Sequence, residues 1–220
     1  MFVGAEGTLG IVTEATLRLT PKIPTSVAVA QFPDVQRAVS AVTEVLRSPV
    51  GSNIRMCNYF QRPSLTLSAS ECVELLDNNM MDAINHAGLS RPFPVKDSLF
   101  FKFQGSPSSI AETSKVVYGI IKSHGAELFQ SARSIEEADE LWNHRKVGFW
   151  STFEWVGDPN TRVWSTDVCV PPSRLPQLVK ETKEDMAKHG IVSTILGHVG
   201  DGKKCLLPSS PYQLQLILNW

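Results

Sequence analysis

Cysteine is scarce. Cys57, Cys72, Cys169 and Cys205 stand far apart with no close pair, which excludes a zinc ribbon and a disulfide framework and reads as free thiols in a reducing compartment. No stretch approaches the roughly 20 apolar residues of a membrane-spanning helix. Neither sign of charge dominates: 21 basic against 22 acidic residues leave a formal net charge of −1, so no basic excess exists to hold nucleic acid or an anionic membrane. The opening MFVGAEGTLG has no basic n-region and no Arg-rich amphipathic pattern, so no targeting segment is expected there. A nucleophile elbow, HExxH, CxxC, Walker A loop and G-x-G-x-x-G turn are all missing.

What is present is a 220-residue chain, 42% hydrophobic and 20% charged. Those shares are ordinary for a globular protein, and the length suffices to bury a substantial core. TEATLRL (13–19) alternates polar and apolar, the pattern of a half-buried strand, and prolines 21 and 24 then stiffen the connector. VAVAQF (27–32) reads as a strand. Val35, Val39, Val42 and Leu46 recur at helical spacing behind Pro33 and Asp34. Strands follow over 98–105, 126–130, 163–170 and 191–199. Helices are expected over 106–125, 134–153 with Ser134 and Glu137 at capping-box spacing, and 173–190 with Ser173 as cap. Strand–helix–strand units repeat about three times. The expected fold class is therefore α+β: an antiparallel or mixed sheet with helices on one face, in ferredoxin-like split β-α-β units.

Few residues point to chemistry. His124 and His189 each precede a glycine at a helix end, where a cation suits the helix dipole, and His86 sits similarly before Gly88. His144 lies inside a helix, with either a structural or a functional role open. His198 follows a buried strand and lies among Gly197, Gly200 and Gly202. A glycine loop at a strand end lets backbone approach a ligand, although a tight turn with one satisfied histidine fits the same residues. Arg145 shares a helix face with Trp142 and Phe149. An arginine there suits a carboxylate ligand, or is a solvated base beside Lys146. GAEGTLG (4–10) either wraps amides around a pyrophosphate or is a turn before a strand. Met80, Met81 and Ile84 read as core.

FVGAEGTLGIVTEATLRLTPKIP, SLFFKFQG, VWSTDVCVPPSRLPQLVKETKED and GHVGDG together resemble the FAD-dependent D-lactate dehydrogenases of the D-lactate:cytochrome c type, vanillyl-alcohol-oxidase-like flavoproteins. The similarity runs from Phe2 to Gly202. It implies that residues 1–20 are the C-terminal end of an FAD-binding domain, with Gly4, Glu6, Gly7, Thr8, Gly10 and Ile11 beside FAD, and that 21–202 are most of a substrate or cap domain. It implies oxidation of D-lactate, or a related D-2-hydroxy acid such as D-2-hydroxyglutarate or glycolate, with hydride passing to the flavin and electrons on to cytochrome c in mitochondria. By the same resemblance Arg145 grips the substrate carboxylate, and His198 is a catalytic residue and the first ligand of a divalent metal, zinc or manganese.

Two departures accompany the resemblance. Lys203, Lys204 and Cys205 replace the stretch that brings a second histidine ligand, so His198 alone is expected to remain of the metal site, and 203–220 reads as a tail outside the family pattern. Residues 55–70 interrupt the pattern and are expected to form a loop. Arg-Met-Cys and Gly-Lys-Lys can each be encoded through a splice-donor sequence, so a retained intron is the expected origin of both departures. The chain by itself is expected to be inactive, and a non-catalytic module binding a small anion is the other reading of the same residues.

Overall fold

The computed structural model describes residues 2, 4–19, 23–50, 70–157, 162–199 and 203–210. In chain order the elements are β1 (Thr25–Phe32), α1 (Val35–Arg47), β2 (Ser70–Leu76), α2 (Asn78–Ala87), β3 (Asp97–Gln104), α3 (Pro107–Ser123), β4 (Leu128–Ser131), α4 (Ile135–Val156), β5 (Arg162–Val163), β6 (Thr166–Cys169), α5 (Leu175–Lys188), β7 (Val192–His198) and β8 (Lys203–Ser210). The interruption expected over 55–70 lies outside the described residues up to Ser70, which opens β2.

Four helices start where a short polar side chain takes an otherwise orphaned amide. Asp34 accepts from Arg37 N at 2.8 Å, Asp77 from Met80 N at 2.9 Å, and Ser106 and Ser134 from the amides three residues on at 3.2 Å. The capping box at α4 is displaced by one residue: the Glu137 carboxylate accepts from Arg133 N at 2.8 Å rather than from Ser134. Ser173 does not cap α5. Residues 172–174 tighten into a 3-10 turn, so the helix begins after Arg174 without a side-chain cap.

All the sheet pairings are antiparallel, in the order β4-β1-β3-β2-β7-β8-β5, with β6 also paired to β8. The first four strands have the order of a split β-α-β pair, as expected. The helices, however, divide between the two faces rather than sharing one. Ala28, Ala30, Phe32, Leu99, Phe101 and Phe103 pack with residues of α1, α3 and α5. Val27, Val29, Phe100 and Leu196 pack with residues of α2 and α4. A strand buried on both faces needs apolar residues at consecutive positions, and VAVAQF and SLFF have them. Burying each large side chain fully contributes about 1.5–3 kcal/mol.

Two further differences concern the ends. Residues 203–210, expected to be a tail, form β8 and pair with β7 from Val192↔Ser209 to His198↔Lys203. Residues 13–19, alternating as a strand should, pair with no strand among the described residues, and Leu17 and Leu19, with Ile11 before them, stand 74%, 84% and 93% exposed. Alternation gives a strand one apolar face, but a strand also needs a neighbour to satisfy its amides.

A buried charge cluster joins α2, α5, β3 and β7. Asp77, 1% exposed, accepts from Met80 N at 2.9 Å and Ile195 N at 3.0 Å through Oδ1. Lys183 Nζ stands 3.2 Å from Asp77 Oδ2 and 3.7 Å from Asp97 Oδ1, and donates to Asn78 Oδ1 at 2.6 Å. Burial pushes both carboxyls above the ordinary carboxylate range, and Lys183 and backbone amides pull back without cancelling it. A carboxyl whose folded pKa is raised contributes stability that is complete below its unfolded pKa and is lost as pH climbs through the folded one. Asn keeps the oxygen of Asp97 that accepts from Asn78 N at 2.9 Å, but does not titrate. Wild type is therefore expected to gain stability relative to Asp97→Asn as pH falls from neutral into that window. Urea midpoints measured at stepped pH check this, and a constant difference would refute it.

Candidate functional site

Glu74 is an acid in the middle of the apolar strand β2. Its residue is 2% exposed, between the buried Val73 and Leu75 and opposite Phe100 in the β3 register. A carboxylate buried this deeply needs partners. Two come from other elements. Glu74 Oε1 lies 2.9 Å from His198 Nδ1 at the end of β7, and Glu74 Oε2 lies 3.1 Å from Arg145 Nε on α4. The two residues singled out from the sequence thus meet on one carboxylate that the sequence reading passed over. A signal was available: a lone acid in CVELL occupies a position that charged residues almost never take unpaired.

The two contacts differ. A carboxylate only accepts, so the 2.9 Å contact places the proton on His198 Nδ1 and leaves Nε2 as the basic nitrogen. The Arg145 contact is close, but the N–H does not point along it, so Oε2 and Nε form an ion pair without a hydrogen bond. Buried polar atoms left this way are uncommon and concentrate at functional sites. Arg145 and His198 keep 24% and 33% of their side-chain surface exposed, whereas Glu74 keeps 3%. Glu74 forms the floor of the site, and Arg145 and His198 stand between it and solvent.

Close packing brings α4 to the sheet. A Cβ on Gly148 would stand 3.1 Å from Met80 Sδ and 3.6 Å from Leu196 Cδ1, so its absence lets the helix approach α2 and β7. The buried hydroxyls of Thr152 and Thr194 meet at 2.9 Å one turn further on. His144 turns out to be structural. Its Nε2 lies 2.7 Å from Arg91 O and its Nδ1 3.1 Å from Leu141 O, in a buried position beside Phe93 and Phe100. The aromatics expected near Arg145 serve elsewhere: Trp142 carries Lys102 at 5.5 Å, and Phe149 clusters with Trp150 and Phe153 on the exposed side of α4. His124 and His189 sit at helix C-caps, and His86 lies in the last turn of α2 before the left-handed Gly88.

The N-terminal loop is a separate feature. Gly4, Glu6, Gly7 and Gly10 have φ of 81°, 46°, 80° and 144°. Thr8 Oγ1 donates to Ala5 O at 2.6 Å, which closes the turn. Gly4, Glu6, Gly7, Thr8, Gly10 and Ile11 are all exposed, and a Cβ on any of the three glycines meets no atom within 4 Å. Conformation, not crowding within this chain, is what calls for glycine here. Such a backbone fits a phosphate or flavin edge brought from outside. Metal fits less well. His198 has the acidic outer partner that metal-bound histidines favour, yet among the described residues no three metal-ligating side chains come together.

Comparison with known proteins identifies the family and the fold. The family described as FAD linked oxidases, C-terminal domain, matches residues 23–214, a span that includes all the elements from β1 to β8. A probable mitochondrial D-lactate dehydrogenase of Danio rerio is 36% identical over 96% of this chain, and the match covers 39% of that protein. The mitochondrial D-lactate dehydrogenase [cytochrome] of Kluyveromyces lactis is 35% identical over 92% of this chain, covering 33% of its own length. The chain therefore spans well under half the length of these relatives. Among solved structures an alkyldihydroxyacetonephosphate synthase superposes with a TM-score of 0.65 at 18% identity, over 98% of this chain and 41% of that one, which establishes the fold.

Proposed function

Given that this chain belongs to the FAD linked oxidases through their C-terminal domain, we propose that it forms the substrate side of a flavoenzyme oxidising a D-2-hydroxy acid, D-lactate first, to the 2-oxo acid. The observation that carries this reading is the convergence of Arg145 and His198 on Glu74. A hydroxy acid presents a carboxylate and a neighbouring hydroxyl, and these two groups are what such a pair recognises. With its Nε turned to Glu74, Arg145 keeps its terminal nitrogens for the substrate carboxylate, a charge-assisted and bidentate grip. With its proton on Nδ1, His198 offers Nε2 to the C2 hydroxyl and takes that proton as the C2 hydride leaves. The flavin, when bound, is the hydride acceptor.

The exposed glycine turn and the unpaired alternating segment behind it support a further part of the reading. Residues 1–20 are the end of an FAD-binding domain, with Gly4, Glu6, Gly7, Thr8, Gly10 and Ile11 beside the cofactor, and residues 21–202 are the substrate domain. A segment of alternating pattern with exposed Ile11, Leu17 and Leu19 is suited to joining a sheet outside these residues. Electron transfer to cytochrome c and a mitochondrial location are proposed from the names of the relatives. In the full-length, flavin-loaded protein kept free of oxygen, D-lactate is expected to bleach the flavin absorbance and L-lactate to leave it. A flavin that D-lactate does not bleach would sink the reading.

A further inference from the structure

We propose that Glu74 is the positioning residue of this site: it fixes the tautomer of His198 and the orientation of Arg145 at once, so that one basic nitrogen and one guanidinium fork remain for a ligand. The use of those groups on a hydroxy acid rests on the reading above; the positioning itself rests on geometry alone. Glu74 is held by the sheet, with Val73 and Leu75 anchored in one core and its own side chain directed to the face covered by α4. Its two oxygens meet two different elements, at 2.9 Å from β7 and 3.1 Å from α4. Because a carboxylate only accepts, His198 must present an N–H toward Oε1, while Oε2 holds the Arg145 guanidinium by charge. For an imidazole this leaves one arrangement of a single proton, on Nδ1. For the guanidinium it commits the Nε edge and spares the opposite one.

Glutamine at position 74 keeps the shape and breaks this logic. An amide has no charge, one accepting oxygen and one donating nitrogen, so it cannot both accept from His198 and lie against the Arg145 cation with its second atom. The guanidinium cannot shed a proton, so the amide oxygen stays with Arg145 and the amide NH2 faces His198, which moves its proton to Nε2 and accepts through Nδ1.

The test uses the 220-residue chain with 15N-labelled histidine, the His198 signals being assigned by their loss in His198→Asn. Wild type is expected to show the protonated nitrogen at Nδ1 and the bare one at Nε2. Glu74→Gln is expected to lose that single tautomer, and in the flavin-loaded full-length protein to lower kcat/KM for D-lactate about 10-fold or more with a shifted pH profile. A proton on Nε2 in wild type overturns the proposal even where the variant does not fold. An unchanged tautomer in a folded Glu74→Gln overturns it as well. Retention of the expected tautomers beside a flavin that D-lactate does not bleach upholds the positioning role and rejects the substrate reading instead.

Discussion

Replacing Arg145 by lysine is expected to lower kcat/KM for D-lactate by about 100-fold in the flavin-loaded full-length protein, with KM rising more than kcat falls. Hydrogen bonds to charged groups are worth about 1.5–3 kcal/mol each, and about 1.4 kcal/mol is tenfold. Lysine keeps the positive charge beside Glu74 but has no planar fork, so a bidentate grip becomes at best a single contact. Lysine is the informative substitution because alanine does two things at once. It removes the carboxylate grip, and it leaves a 2% exposed glutamate with one partner fewer, a loss that costs several kcal/mol when a buried pair is broken. Steady-state kinetics with D-lactate and with a hydroxy compound lacking the carboxylate separate the terms. A loss confined to D-lactate supports the assignment, and an equal loss on both compounds refutes it.

The largest effect on stability is expected at Asp77→Ala, with a loss of about 3–5 kcal/mol. Three separate functions end with that side chain. It caps α2 at Met80 N, it ties Ile195 of β7 to the end of β2, and it faces Lys183 inside the protein. Loss of the cap alone costs about 1 kcal/mol. Leaving Lys183 without the nearer of its two acidic partners adds the larger share. Thermal or urea unfolding measures the total. Asp77→Asn is the companion variant: it keeps an oxygen for both amides and loses only the charge, so its loss is expected to be smaller than that of alanine but more than half of it. Equal losses in the two variants would show that charge, and not the amide contacts, is what matters. Because β7 carries His198, the alanine variant is also expected to perturb the histidine signals at the site.

Much of this was written in the sequence at the level of single elements. Asp34, Ser106 and Ser134 start their helices as short polar caps do anywhere, and periodicity alone located α1, α3, α4 and β7. Met80, Met81 and Ile84 are core as their spacing indicates. Two misreadings are instructive. The alternation of residues 13–19 predicts a strand, yet those residues pair with no strand among the described ones. Period-two patterning reports which side chains want burial, not whether a neighbouring strand is present to bury them. Helices were placed on one face because the order of elements carries no information about which face a helix takes. The consecutive apolar residues of β1 and β3 were the clue to a two-sided cover.

The candidate site was half readable. Arg145 attracted notice as an arginine on an aromatic helix face, and His198 as a histidine in a glycine loop. Glu74, the group that makes a site of them, did not. Position 74 is 71 residues from Arg145 and 124 from His198; only the antiparallel pairing of β2 with β7 and the approach of α4 at Gly148 bring the three together. The chain by itself determined its class, its caps, its apolar stripes and the residue types capable of acid–base and carboxylate chemistry, because those follow from interactions within one or two helical turns. Which of those residues face one another was decided by the tertiary structure alone. Register across a sheet and the depth at which a helix docks are settled by packing over the whole core, and no local stretch of sequence contains that sum.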